Sequence, residues 1–139
     1  MDGIQFYGNY CDDIRHEVSG KTTLIGCYGP ALFVRKLPIK LPKLCFHFTI
    51  CAPIDNAIET AEITMTQNDQ VILKVDGQIN MPADSEIEET DTMVSITGGF
   101  DMPSFTVEEP ALLQTKILIN GKEYFGPKLK IRLQKPVTE

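Results

Sequence analysis

Apolar residues in this chain recur at every second position or in short solid blocks, and hardly anywhere at helical spacing. The clearest case is residues 43–51, whose large apolar members share one parity: Leu44, Phe46, Phe48 and Ile50. Because successive side chains of a strand point to opposite faces, this alternation predicts a strand whose aromatic side faces a core. The apolar blocks end at Gly, Pro, Asn or Asp, which predicts strands joined by turns.

Two hairpins are predicted from their turn residues. Residues 4–16 and 21–28 flank Ser19-Gly20, where glycine supplies the positive φ of a tight turn, and Val18 is counted in the first run. Residues 112–119 and 122–125 flank Asn120-Gly121, the strongest hairpin signal in the chain, because both central residues of a type I′ turn need φ > 0.

Further strands are predicted from shorter patterns. Pro38 and Pro42 predict that residues 35–42 form an extended crossover outside any central strand. Gly98-Gly99 allows a bulge or bend, and the polar residues 80–92 predict an exposed loop. The remaining predicted strands are residues 31–34, 58–67, 71–75, 93–97, 100–107 and 129–133.

These elements predict a single all-β domain over residues 1–139. Eight to ten strands with hairpin turns and almost no helix are best buried as a two-layer antiparallel β-sandwich, with a closed barrel as the alternative. The chain has no internal repeat and no linker that would divide it.

Charge and terminal sequence restrict the partners. With 13 basic and 19 acidic residues the formal net charge is -6, which argues against binding to nucleic acid or an anionic membrane. The N-terminus lacks the basic and apolar segments of a secretory signal, and no apolar run approaches the roughly 18 residues of a membrane helix. We therefore expect a cytoplasmic protein, whose four cysteines are reduced and mostly buried thiols.

Cysteine and histidine side chains suggest two reactive sites, and neither is favoured. Cys45, His47 and Cys51 share one strand face, but about 20 Å separates residues 45 and 51, so a zinc ion would need Cys11 or Cys27 from another strand. A nucleophilic Cys-His-Asp trio can be composed from Cys11 or Cys27 with either histidine and either Asp12 or Asp13. No nucleophile elbow or oxyanion loop accompanies it. We expect no catalytic, cofactor or metal residue.

Acidic and glycine-containing segments also have structural explanations. Asp13, Arg15 and Glu17 share a strand face, which predicts an ion pair within the sheet. Residues 84–91 are rich in carboxylates but lack the alternating Asp/Asn and Gly of a calcium loop, so calcium binding is only the alternative. Neither Gly98-Gly99 nor the Gly26 and Gly29 pair lies between a strand and a helix, so neither is a phosphate cradle.

Several short motifs of this chain occur together. They are Cys11-Asp12-Asp13-Ile14, Gly20-Lys21, Leu24-Ile25-Gly26 with Tyr28, the crossover Leu37-Pro38 and Leu41-Pro42-Lys43-Leu44, and the closing Asn120-Gly121-Lys122 and Leu129-Lys130-Ile131. This set resembles a family of small uncharacterised bacterial β-sandwich proteins. The chain departs from the family at Ala111-Leu112-Leu113, where a Gly-x-Tyr start is usual. The resemblance implies a fold and a bacterial or phage origin, and no activity.

The expected function follows from abundant strands and the scarcity of clustered catalytic side chains. We expect a non-enzymatic interaction or assembly module that acts through its surface. Its partner would be another protein or a second copy, as in a bacterial or phage accessory or structural protein. The alternative is a module that binds a small ligand or calcium through loops at one end of the sandwich.

Overall fold

The computed structural model describes residues 3–56, 58–76 and 88–135. This part of the chain contains no helix, and so none that is long and apolar enough to cross a membrane. It contains nine strands, which are numbered in chain order: β1 (Gln5–His16), β2 (Thr22–Cys27), β3 (Ala31–Val34), β4 (Ile39–Pro53), β5 (Ala61–Gln67), β6 (Gln70–Asp76), β7 (Met93–Val107), β8 (Ala111–Ile119) and β9 (Lys122–Leu133).

The strands form two sheets that share one core. Sheet A has the order β2-β1-β4-β7, and sheet B has the order β3-β9-β8-β5-β6. Buried side chains from both sheets belong to one hydrophobic cluster, so the sheets pack face to face. The predicted two-layer sandwich of eight to ten strands is confirmed. One detail differs, because β3 pairs with β9 in parallel while the other pairs are antiparallel.

The aromatic face of β4 lies at the centre of the core, as its alternation predicted. Phe46 is fully buried, and its ring centroid lies 5.0 to 6.2 Å from those of four neighbours: Phe6, Tyr10, Phe48 and Phe100. Stacked, tilted and edge-on aromatic pairs each contribute about 0.5–1.5 kcal/mol beyond the area they bury. The cluster therefore joins the three neighbouring strands β1, β4 and β7 from one side.

The prediction that residues 35–42 lie outside any central strand is wrong for residues 39–42. Strand β4 begins at Ile39 and lies between β1 and β7, so Pro42 is part of it. The proline is tolerated because β1 pairs with β4 only as far as Cys45, which leaves β7 as the one neighbour beside Pro42 among the described strands. Ser104, which faces Pro42 on β7, has a φ of 54°.

Both strands reverse their faces at this point while keeping their register. Leu41 and Leu44 are both buried although their positions differ by three, so the inner face of β4 changes parity across Pro42. On β7 the inner residues Met102 and Phe105 change parity in the same way, opposite those two leucines. Because both strands change parity at the same place, Pro42 fits inside the long β4–β7 pair without a shift of register.

Gly98-Gly99 does not interrupt β7, where the sequence allowed a bulge or bend. The strand runs unbroken from Met93 to Val107, and its register with β4 is unshifted at both glycines. The reason for glycine is close contact instead. A Cβ on Gly98 would lie 2.8 Å from Cζ of Phe48, and one on Gly99 would lie 2.8 Å from Cδ1 of Ile14. The absence of a side chain at Gly98 and Gly99 leaves space for the side chains of Phe48 and Ile14.

The two predicted hairpins have different outcomes. Asn120-Gly121 forms the predicted two-residue turn, with φ values of 49° and 83°. The first turn is longer than predicted, because the N–H of Glu17 donates to the carbonyl of Lys21 at 2.8 Å. The loop is therefore residues 18–20, with Gly20 in the left-handed region at 88°, and Val18 is fully exposed rather than part of the strand.

Other boundaries shift by a few residues. Strand β5 begins at Ala61 rather than at residue 58, and residues 122–125 and 129–133 belong to one continuous β9. The register of β9 with β8 shifts between Gln114 and Lys116. Two steps along β8 there lie opposite three steps along β9, from Lys128 to Phe125, so β9 has one extra residue. Residues 80–87 of the predicted exposed loop lie outside the described part of the chain.

The outer half of the first hairpin does not pair with β4. Pairing of β1 with β4 ends at Cys11 and Cys45, whereas pairing of β1 with β2 continues to His16 and Thr22. We call residues 12–16 and 22–26 the hairpin arm. Since Ile14 reaches Gly99 on β7, the arm leans across β4. This explains why Cys11 and Cys45, on the outer face of the sheet, are nevertheless fully buried.

A contact between Asp12, Tyr28 and Gly26 holds the base of the arm. The hydroxyl of Tyr28 donates to the carboxylate of Asp12, which lies directly over Gly26. Gly26 has a φ of 66°, and any Cβ there would overlap the Asp12 carboxylate. Burial, followed by the Asp12 interaction, raises the pKa of Tyr28, so this hydroxyl stays protonated and remains a donor.

Alanine at the two left-handed glycines of this hairpin should separate the effect of φ from that of crowding. At Gly20 a Cβ meets no atom within 4 Å, so Gly20→Ala should cost only the backbone penalty, about 1–2 kcal/mol. Gly26→Ala should cost about 1–3 kcal/mol more, because Asp12 must move. Urea unfolding of both variants measures the difference, and equal losses would contradict the proposed contact.

Candidate functional site

The outer face of sheet A has an uncharged half that spans three strands. Register places its nine residues in three rows that cross the sheet, and each row contains one residue from β1, one from β4 and one from β7. The side chains from β1 and β7 are exposed and those from the central β4 are half-buried. None is acidic, lysine or arginine, although the whole chain carries a net charge of -6. We call this surface the neutral face: Gln5, Cys51 and Ser95; Tyr7, Thr49 and Thr97; Asn9, His47 and Gly99.

Hydrogen bonds within the neutral face fix two of its rows. Sγ of Cys51 lies 3.7 Å from the hydroxyl of Tyr7 and 3.3 Å from that of Ser95. The interaction with Cys51 raises the pKa of Tyr7, so the tyrosine stays neutral. The ring of Tyr7 is half exposed, at 52%, and it gives this polar surface one large apolar contact.

Strand β7 borders the neutral face and ends sheet A. It is fifteen residues long, and no other strand of the described ranges pairs with its outer side. From Met93 to Phe100 it contains no charged residue and no proline. Its exposed backbone N–H and C=O groups therefore form a long row along which another strand can add.

The three other sheet edges carry features that oppose such pairing. Strand β3 has four residues and follows Pro30, and β2 has six and belongs to the hairpin arm with its left-handed Gly26. Strand β6 carries Lys74 and pairs with β5 through a register shift. Short length, bulges and an edge lysine are the usual protections of a sheet edge. The segment Met93 to Phe100 has none of them.

A small cleft lies between the hairpin arm and strands β4 and β7, at the charged end of the outer face. Its volume is about 230 Å³, and its polar lining includes Asp13, His16, Lys43 and Asp101. The Asp13 carboxylate accepts from Nζ of Lys43 at 2.8 Å and from Nε of Arg15 at 3.3 Å. Lys43 is the main cause of the lowered pKa of Asp13, and Asp13 in turn raises the pKa of Lys43.

This network partly confirms the ion pair predicted on β1. Asp13 and Arg15 pair as expected, but Glu17 lies one residue beyond the end of β1. The closest partner, Lys43, comes from β4 and was missed. A partner on a different strand depends on register and on the lean of the arm, and neither is visible in residues 12–17 taken alone.

Three of the four cysteines form a row across sheet A. Cys11 on β1 is directly opposite Cys27 on β2 and Cys45 on β4, and none of these thiols is in a disulfide. Burial, with the neighbouring Cys45 and Cys27, raises the pKa of Cys11 to about 11. Burial also raises the pKa of Cys45, whose thiol lies 3.6 Å from the carbonyl of Asp12. Cys27 is exposed, so the expectation of mostly buried thiols is wrong for it.

The residues considered for zinc are not gathered into one site. Cys45, His47 and Cys51 do share the outer face of β4, but Cys51 is hydrogen-bonded within the neutral face and Cys45 lies under the arm. Among the described residues, no group of three or more His, Cys, Asp or Glu side chains could hold a metal ion.

The two carboxylates considered for a nucleophilic trio have other partners. Asp12 accepts from Tyr28 and Asp13 binds Lys43. Of the acidic segment considered for calcium, residues 84–87 lie outside the described part of the chain. Within the remainder, Asp91 accepts from the N–H of Glu88 at 2.8 Å and closes a turn.

One family model matches most of the chain, and it is described as a family of unknown function, DUF6941. The match covers residues 7–132, from Tyr7 on β1 to Arg132 on β9. No curated protein and no solved structure matches the chain.

The half-buried His47 should make stability depend on pH. Burial, and then the charge of His16, lowers the pKa of His47 below its usual 6.5. Between that lowered value and 6.5 the unfolded chain binds more protons, so stability should fall as pH decreases through this window and level off below it. In His47→Gln the fall should be smaller, as measured by urea midpoints from pH 7.5 to 5. An unchanged profile would show that His47 is not its source.

Proposed function

The chain belongs to DUF6941, a family of unknown function, and we propose that it is a non-enzymatic interaction module that binds a β-strand of a partner, either another protein or a second copy, along β7. The observation that carries this proposal is the contrast among the four sheet edges. Only the segment Met93 to Phe100 is long, uncharged and free of proline among the described edges. Strand addition at such an edge satisfies backbone groups of both chains.

The neutral face supplies the second part of the interaction. Backbone hydrogen bonds provide affinity in strand addition, while alternate side chains decide which strand is accepted. Every second side chain of β7 faces outward and ends one row of the neutral face, as Thr97 ends the row of Tyr7 and Thr49. An added strand would therefore extend these rows. Uncharged hydroxyl, amide and imidazole groups can bond to a polar strand without the desolvation cost of a buried charge.

The protonation states of the cleft support a role other than catalysis. Cys45 is held protonated by burial, and Lys43 is held as an ammonium ion by Asp13. A general base or nucleophile needs a pKa near the working pH, and these two groups are shifted away from it.

A cytoplasmic location and an accessory or structural role in a bacterial or phage assembly belong to the same proposal. Cys11 lies in register between two other cysteines, and all three thiols are free. Closely placed free thiols suit a reducing compartment, where disulfides are rare.

The alternative is a module that binds a small ligand or calcium. The observation in its favour is the cleft beneath the hairpin arm, where Asp13 and Asp101 lie near Lys43. Binding of a divalent cation there should raise the melting temperature. An unchanged melting temperature on addition of calcium and of zinc would count against this alternative.

Strand addition can be tested with a fluorescent peptide that corresponds to residues 91–103 of this chain. We expect saturable binding to the full chain, with a Kd on the order of micromolar, measured by fluorescence anisotropy. The same peptide with Thr97→Pro should not bind, because proline removes a donor and breaks the strand. Equal binding of both peptides, or of neither, would contradict the proposal.

A further inference from the structure

The occupant of the β7 edge can be named from the sequence of β7 itself. We infer that β7 pairs with β7 of a second copy of this chain, antiparallel, with a two-fold axis through Thr97. This inference rests on the proposed function, because it requires that the edge accepts a strand. It adds the identity of the partner and the register of the pair.

Self-pairing is favoured because the exposed segment is complementary to itself. With the axis at Thr97, each copy contributes residues 93–101, and Thr97 faces its own symmetry mate. Ser95 then faces Gly99, and Met93 faces Asp101. No like charges are opposed, and a Thr-Thr pair is among the favourable cross-strand pairs. A chain with a net charge of -6 would otherwise repel its copy, so an uncharged contact matters.

Neighbouring registers are less suitable. An axis at Ile96 would place Asp91 opposite Asp101, and two carboxylates directly opposed are destabilising. An axis at Gly98 would bring Pro103 opposite Met93 and put the left-handed Ser104 next in line. Pairing centred on Thr97 ends at Asp101, before this irregular part of β7.

The inner face of the edge also gains from the pairing. Opposite residues in an antiparallel pair lie on the same face, so Val94 of one copy faces Phe100 of the other, and Ile96 faces Gly98. Val94 and Ile96 are buried, whereas Phe100 is only partly buried and packs against the outside of the core cluster. A second copy would cover Phe100 and make the two cores continuous.

The product would be one eight-stranded sheet made of two copies of sheet A. Because the axis is perpendicular to the sheet, both neutral faces lie on the same side and join across β7. The joined surface has Tyr7 and its row on each side of the axis, and each hairpin arm, whose Ile14 reaches Gly99, lies beside one end of the paired segment. The lining of each charged cleft includes Gly99, Phe100 and Asp101, so the cleft borders the end of the paired segment.

Disulfide trapping tests the register. In a background with Cys27→Ser and Cys51→Ser, Thr97→Cys should form a covalent dimer on mild oxidation, because the two residues meet at the axis. The matched control Ser95→Cys should not, because four residues, about 13 Å along the strand, separate the two thiols. Trapping at residue 95 and not at residue 97 would overturn the register.

Light scattering coupled to size exclusion, with and without a chelator, tests the dimer of the unmodified chain. We expect a chelator-insensitive dimer whose dissociation constant rises at least about tenfold in Thr97→Lys, which opposes two lysines at the axis. Val71→Lys, at an exposed site on edge strand β6, adds the same charge and should leave the dimer unchanged. Circular dichroism melting confirms that each variant is folded.

The outcomes separate this inference from the proposed function. A monomeric chain that still binds the residue 91–103 peptide would overturn the second copy as partner and leave strand addition intact. A monomer that binds no peptide would overturn both. A dimer that resists Thr97→Lys, or that dissociates in chelator, would place the contact elsewhere and overturn the inference.

Discussion

The pairing of β4 with β7 is the constraint on which the rest of the structure depends. The two fifteen-residue strands keep one register along their whole length, from Ile39 opposite Val107 to Pro53 opposite Met93. That register carries the aromatic cluster into the core on one side and the neutral face on the other. It also leaves β7 at the end of sheet A, so the packing that stabilises the fold is what exposes the edge.

The two halves of sheet A differ because β1 stays with β4 for only part of its length. Up to Cys11 the three strands are in register, and their outer face from Gln5 to Asn9 is uncharged. Beyond Cys11 the arm leans over β4 and brings Asp13 to Lys43. Asp13 is paired there with Lys43 and Arg15, and surface pairs of this kind add little stability. The division leaves residues 93–100 of the proposed contact uncharged and puts the charged cleft at their end, beside Asp101.

The sequence predicted what depends on one strand and missed what depends on two. Alternation within residues 43–51 identified the core face, and Asn120-Gly121 identified a turn, because each signal is local. Pro42 was predicted outside the central strand, because a proline there is tolerated only where β1 does not pair with β4, and that pairing is not a local signal. The cysteine row and the Lys43 partner of Asp13 likewise depend on register between distant strands. Nothing in the sequence patterns predicted that β7 is an edge, since strand order decides which strand is last.

The absence of protection on β7 carries weight because the same chain protects its other edges. Strands β2, β3 and β6 combine short length, a left-handed glycine, a register shift and a lysine, and any of these discourages pairing. An edge of uncharged residues brings a risk of uncontrolled association. A two-fold contact removes that risk, because an isologous pair closes on itself and leaves no further β7 edge free. A dimer would thus turn the one unprotected edge among the described strands into its interface.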